Sequence, residues 1–261
     1  MARPIVFLTD YGLADEFVGV CRGVIARAAP TVAVIDLTHA IRRQDVVQGS
    51  IVLGRAAPYM PADAVFLAVV DPGVGSERRP VAVETVGGAH LVGPDNGLLS
   101  GAWRALGGAV RAVAITDPSV LLHPVSKTFH GRDVFAPAAA ALATGTPLDR
   151  LGEAIDPVDL RAIDLPGPMV TPGSVGGRVV MVDGFGNVQL NVRPSDLDAA
   201  GLAMAAGLGA RTLPRVATFA DVPKGDLAII TDSQGFVAII VNGGSAAEKL
   251  GLRPGDAVVL S

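Results

Sequence analysis

Cysteine is nearly missing from this chain: Cys21 is the only one among 261 residues, so no internal disulfide can form. That usage suits a reducing compartment, and Cys21 itself is expected to act as a small buried hydrophobe. Aromatic residues make up 4% of the sequence and charged residues 18%, against 50% hydrophobic. Such a balance excludes a disordered chain and a charged helical array, and leaves a folded globule. Basic clusters are also absent. With a net charge of −4 and its Lys and Arg scattered, the chain offers no stripe to neutralise nucleic-acid phosphates. Mean hydropathy is +0.47, yet Asp, Pro or Gly breaks every apolar run well short of the roughly 18 residues of a membrane span. The opening "MARPIVFLTDYG" meets Asp10 too early for a secretory h-region. A cytoplasmic protein that engages neither membrane nor nucleic acid is expected.

Several catalytic signatures are missing too. The four histidines are widely separated, with no HxH or HxxxH pair, and one cysteine cannot build a zinc site. No P-loop, GxGxxG fingerprint or GxSxG elbow occurs, so phosphate cradles and acyl-enzyme chemistry have no foothold.

What is present is an α/β rhythm. From Pro4 to about Ile163, "IVFLT", "VAVIDL", "AVFLAVV", "PVAVETV" and "VRAVAI" read as strands. Between them "DEFVGVCRGVIARAA", "RRQDVVQGSIVLGRAA" and "DVFAPAAAALATG" carry apolar residues at helical spacing. Residues 1–163 are therefore expected to form an α/β domain with a Rossmann-like sheet. Three prolines and four glycines crowd "DLPGPMVTPGSVGG", and residues 164–177 read as a linker. Beyond it the short runs "RVVMVD", "NVQLNV", "LAIITD", "FVAIIVN" and "AVVLS" predict a small β-rich domain over 178–261, expected to be a barrel.

Ligands of open α/β sheets gather beyond the carboxyl ends of strands. Asp10 follows "IVFLT", Asp36 and His39 follow "VAVI", and Asp71 follows "VFLAVV". Asp36 is read as a turn former, a common role for Asp at a strand end. The loop "DPGVGSERR" is richer: its glycines permit a tight fold, with Asp71 and Arg78 as charged ends. A long hairpin loop is the competing account. His130, in "TFHGRDVF", supplies the side chain best suited to handle protons near neutrality, with Arg132 and Asp133 as orienters or as a capped helix start.

In this order "LTDYG", "VVDPGVGSERRP", "GPDNGLL", "FHGRDVFAPAAA", "DGFGNVQLN" and "DSQG…VNGGSA" resemble the S-adenosyl-L-methionine (SAM) hydroxide adenosyltransferase family, related to fluorinating and chlorinating adenosyl transferases. The resemblance covers nearly the whole chain. It implies an N-terminal α/β domain, a C-terminal β-barrel, and a homotrimer with active sites between subunits. It also implies that hydroxide attacks ribose C5′ and expels methionine, leaving adenosine, with SAM as substrate and neither cofactor nor metal. Asp71, Arg78 and His130 match the family's catalytic trio, leaving open which of His130 and Asp71 is the base and whether Arg79 contributes. Substrate contacts are implied at Asp10, Asn96, Asp183, Phe185, Asn187, Ser233, Asn242 and Gly243. Asp10 would meet the ribose hydroxyls, Asn187 the adenine and Asp183 the methionine ammonium. Ser233 would hold the methionine carboxylate, although Gln234 stands where the halogenating relatives have Arg. Halide transfer to the same carbon and non-catalytic SAM or adenosine binding are the alternatives.

Overall fold

Apolar runs such as IVFLT have no polar face, and a computed structural model, which describes residues 2–261, accounts for this by burying both of their faces. The chain divides into two units, one ending at Ile163 and one spanning Asp164–Ser261.

The first unit is built on a seven-stranded sheet. Its strands are β1 (Ile5–Thr9), β2 (Val34–Thr38), β3 (Val65–Val69), β4 (Pro80–Thr85), β5 (His90–Pro94), β6 (Ala109–Ile115) and β7 (Gly152–Ile155), in the order β2-β1-β3-β5-β4-β6-β7. The run β2-β1-β3-β5 is parallel, while β4, β6 and β7 join antiparallel. Successive side chains alternate between faces. Ile5 and Phe7 pack with Val65 and Leu67 beneath α1 (Phe17–Ala28) and α4 (Ala136–Ala143). Val6 and Leu8 pack with Phe66 and Ala68 beneath α2 (Val46–Ala56) and α3 (Ser100–Ala105). Covering both faces is what parallel strands require. Cys21 is buried in the first of these cores, and burial pushes its thiol pKa up to about 12.

The loop from Val70 to Arg79 does not close a hairpin, because β5 lies between β3 and β4. It crosses over the carboxyl edge of the sheet. Two strands and one helix escape the sequence rhythm. β5 reads HLVGP and β7 reads GEAI, each too short and too rich in Gly or Pro to stand out, and α3 spans six residues.

The second unit corrects the expectation of a barrel. Its strands β8 (Met169–Thr171), β9 (Ser174–Val182), β10 (Val188–Leu190), β13 (Leu227–Thr231), β14 (Val237–Val241) and β15 (Ala257–Leu260) form an open sheet of order β13-β14-β10-β9-β15, with β8 on β9. A separate ribbon pairs β11 (Ala205–Leu208) with β12 (Arg211–Pro214). No ladder joins β13 to β15 among the described residues. Beyond these ladders, Gly207 of the ribbon and Ser261, just after β15, exchange backbone bonds at 2.5 and 3.1 Å, and the residues just after β12 reach β13 through an isolated bridge of Arg215 to Ile229, with the Val216 N–H on the Ile229 carbonyl at 2.9 Å. Short alternating strands read alike whether or not the first pairs with the last, so closure was not legible. The stretch 164–177 is likewise not all connector, since β8 and the start of β9 lie within it. Among the described residues no helix is long and apolar enough to cross a membrane.

Candidate active site

Strand register decides which polar residues meet. Thr9 of β1 pairs with Val69 of β3, so Asp10 and Asp71 leave neighbouring strands at the same sheet edge. Arg78 lies at the far end of the crossover loop and turns back on its beginning. Its Nε donates to both carboxylate oxygens of Asp71 at 3.0 Å, and Nη2 makes a short bond to Oδ2. The same Nη2 donates to Nδ1 of His130 at 2.7 Å. The loop therefore brings Asp71, Arg78 and His130 together, with the guanidinium between anion and imidazole. The Asp71 and Arg78 side chains are each 6% exposed, so the pair sits in a low-dielectric setting where its charges act strongly. The Phe135 ring lies 5.2 Å from the guanidinium carbon.

Two consequences follow from donor bookkeeping. A guanidinium can only donate, so Nδ1 of His130 must accept, and the neutral ring carries its proton on Nε2. Burial lowers the His130 pKa below its usual value and the adjacent Arg78 lowers it further, against the opposing pull of Asp71 and Asp133. The imidazole is thus neutral at pH 7 and presents an N–H. The second consequence concerns Nη1 of Arg78, which is buried and has no hydrogen-bond partner among the described residues. A buried unmet donor costs about 1–3 kcal/mol, and an incoming oxygen would relieve that cost.

Local geometry explains how the pieces are held. Gly75 has φ +77°, and a Cβ there would stand 2.4 Å from the carbonyl oxygen of Lys127, so the loop packs backbone to backbone against the segment leading to His130. Gly75→Ala is expected to lower stability by about 1–3 kcal/mol and to cut turnover, as read from a thermal melt and an activity assay. An unchanged melt and rate would contradict the close approach. His130 begins a π-helical turn, Gly131–Phe135, that runs into α4; such turns are frequent at functional sites. Arg132 and Asp133 make no hydrogen bond to His130. Burial works against ionisation of Asp133, but bonds from Arg132 at 2.6 and 2.9 Å and from the Ser126 N–H at 2.9 Å hold its pKa below the usual carboxylate value. They fix the loop that carries His130.

Asp10 accepts from the Gln44 N–H at 2.8 Å through Oδ2, and its Oδ1 has no partner among the described residues. Asp36 is occupied by Arg22 at 2.7 Å and His39 at 3.3 Å. Both polar atoms of Asn96 are engaged, with Nδ2 on the Val70 carbonyl at 2.9 Å and Oδ1 accepting from the Leu98 N–H at 3.1 Å.

In the second unit, Phe185, Asn187, Phe219, Val241, Gly243 and Gly244 line a cavity of about 480 Å³. Phe185 lines this cavity while remaining 83% exposed. Its turn is set by Asp183, whose Oδ1 accepts from the N–H groups of Phe185 at 2.9 Å and Asn187 at 3.0 Å. Asp183 Oδ2 takes Nδ2 of Asn187 at 2.9 Å. Asp183 therefore spends its oxygens on its own turn. Because a carboxylate only accepts, this also fixes the Asn187 amide, whose Oδ1 and second N–H have no partner among the described residues. Gly186, at φ +82°, lets the turn press on Ser245, 2.2 Å from where a Cβ would place itself. Asn242 holds the Val222 carbonyl at 2.8 Å and does not line the cavity. The Ser233 side chain is exposed and makes no hydrogen bond among the described residues. Phe219 was missed: it sits in a short helical turn with no motif around it.

Fold and site together define a two-unit α/β protein with an Asp–Arg–His cluster at a sheet edge and an aromatic slot in its second unit. The chain matches the family models for the SAM hydroxide adenosyltransferase N-terminal domain over residues 5–152 and C-terminal domain over 177–259. It belongs to that family. It is 51% identical over 254 residues to an (R)-S-adenosyl-L-methionine hydrolase of Salinispora tropica, covering 97% of this chain and 95% of that protein. A protein of the same name from Thermus thermophilus is 41% identical, covering 99% of each chain. A more distant relative named fluorinase, from an Actinoplanes species, is 28% identical, covering 99% of this chain and 98% of that protein. The crystal structure of an uncharacterized conserved protein from Thermotoga maritima superposes with a TM-score of 0.89 at 35% identity, covering 98% of this chain and 99% of that one.

Proposed function

We propose that this chain hydrolyses S-adenosyl-L-methionine. A water oxygen bonds to ribose C5′ while the C5′–S bond breaks. Its electron pair stays on sulfur, which leaves as the neutral thioether of methionine, and one water proton is given up to form adenosine. The observation that carries this reading is the unmet Arg78 Nη1 beside Asp71 and His130. Sulfonium leaves without protonation, so the protein's work lies with the nucleophile. Bulk water is far too weak an acid to ionise near neutrality, and the trio answers with one acceptor and two kinds of donor. Arg78 and His130 stabilise charge developing on the oxygen. Asp71 is the acceptor, because His130 has Nδ1 on Arg78 and a proton on Nε2.

The substrate contacts follow from what remains free. Asp10 Oδ1 accepts from the ribose hydroxyls. Asn187 offers an acceptor and a donor that complement the adenine amino group and ring nitrogen, with Phe185, Phe219 and Gly243 as walls of the slot. Ser233 donates to the methionine carboxylate. Asn96, Asp183 and Asn242 support these elements. The reading needs no cofactor, places the enzyme in the cytoplasm, and includes a homotrimer whose sites are shared between subunits. The exposed Phe185 supports that last point, and sedimentation at a monomer mass would refute it.

Mass analysis after mixing the purified protein with SAM tests the reading. Adenosine and methionine are expected. A 5′-halo-5′-deoxyadenosine, or bound but unconverted SAM, would replace it with halide transfer or with a binding role. The pH profile is a second check. Since the His130 pKa is lowered from 6.5, its neutral form persists below that value. Activity is then flat through neutrality and falls in acid with a midpoint below 6.5. A midpoint above 6.5 would mean that protonated His130 is not what stops turnover.

A further inference from the structure

The loop that carries Asp71 and Arg78 is gripped at both ends by one dipeptide. Asp95 and Asn96 follow β5, the strand lying between β3, which enters the loop, and β4, which leaves it. Asn96 takes the entry. Its Nδ2 donates to the carbonyl of Val70, the residue before Asp71, at 2.9 Å, and the Leu98 N–H pins its Oδ1 at 3.1 Å. Asp95 takes the exit. Its Oδ2 accepts from Nε and Nη2 of Arg79, the residue after Arg78, at 3.0 and 2.6 Å. The Asp95 N–H also donates to the Arg79 carbonyl at 2.9 Å. The grip is itself anchored. Asp95 Oδ1 accepts from the Arg161 N–H at 2.8 Å, and Arg79 Nη2 donates to the Asp159 carbonyl at 2.7 Å.

From this we infer that Asp95, Asn96 and Arg79 are positioning residues, which set the separation and direction of Asp71 and Arg78. The inference rests on the hydrolase reading for its kinetic consequence. Neighbouring residues in extended backbone point to opposite sides, so fixing Arg79 on Asp95 aims Arg78 the other way, at Asp71 and His130. Asp95 is buried, with its side chain 3% exposed. Its charge is matched by the Arg79 fork, a geometry that a lysine would not reproduce. A misplacement of about 1 Å at a reacting group can cost on the order of 100-fold in rate. One dipeptide thus acts on both partners of the ion pair, and it explains why Arg79 adjoins Arg78 without entering the trio.

The test uses full-length Asn96→Asp and Arg79→Lys variants. Asn96→Asp keeps the acceptor for Leu98 and removes the donor to Val70; Arg79→Lys keeps the charge and removes the fork. Each variant is expected to lower kcat about 10- to 100-fold with KM within about threefold. Each should also raise the His130 pKa, followed by its ring proton resonances, because the Arg78 contact loosens. A thermal melt confirms folding, and if Arg79→Lys unfolds, Asn96→Asp alone carries the test. Folded variants with unchanged kcat and an unchanged His130 titration overturn the inference. If the wild type itself releases no adenosine, the functional reading fails, and the His130 titration, which needs no turnover, still decides whether the grip positions Arg78.

Discussion

Replacing Arg78 with methionine is expected to lower SAM turnover by about 10³-fold, since a single preorganised donor to developing negative charge is worth on the order of 10²–10³ and Arg78 also orients both neighbours. The same change leaves the Asp71 carboxylate buried without its cation, and breaking a buried pair costs about 3–5 kcal/mol. The melting temperature should fall with the rate. The double variant Asp71→Asn with Arg78→Met separates the two effects: it removes the stranded charge and recovers much of the stability, while activity stays lost. If Arg78→Met turned over SAM within about tenfold of the wild type, the guanidinium would be a structural cation only, with no part in stabilising charge on the oxygen.

Asp71→Asn carries the second large effect. The substitution preserves shape and an acceptor oxygen for Arg78 but removes the group assigned to take the water proton. Positioned proton transfer contributes typically about 10²–10⁴-fold, and kcat is expected to fall within that range while KM changes little, because the proposed ribose and adenine contacts are Asp10 and Asn187 rather than Asp71. His130→Gln makes the companion comparison. Glutamine keeps an N–H donor and cannot accept a proton on nitrogen, so on this account it retains more activity than Asp71→Asn. The reverse order would assign the proton to His130 instead.

The parts of this molecule that could be read from the sequence are those where a residue's environment follows from its neighbours in the chain. β1 up to Leu8 and the whole of β3 are apolar because both sheet faces are covered, and runs of that kind announce themselves. The trio was legible because Asp71 and Arg78 bracket a glycine loop and His130 opens a recognisable motif. Hydrogen-bond capacity was not. Asn96, Asp183 and Asn242 carry ligand-binding chemistry in motifs that suggest it, yet each spends its polar atoms on nearby backbone or on its own turn. Sequence does not distinguish an amide aimed at a ligand from one aimed at a carbonyl 26 residues away, as Asn96 is toward Val70. Phe219 was invisible for a related reason: it joins Phe185 and Asn187 only through the folding of the second unit. The finer expectation of a closed barrel was not met, since β13 and β15 stand at opposite ends of the strand order and no strand's composition tells whether the two pair.

Turnover of SAM in water enriched with oxygen-18 tests the central claim most directly, since a solvent oxygen is held to attack C5′ at the Asp71–Arg78–His130 cluster. The account predicts adenosine labelled at O5′, formed without added halide, alongside unlabelled methionine. Unlabelled adenosine, or a requirement for halide, would contradict it.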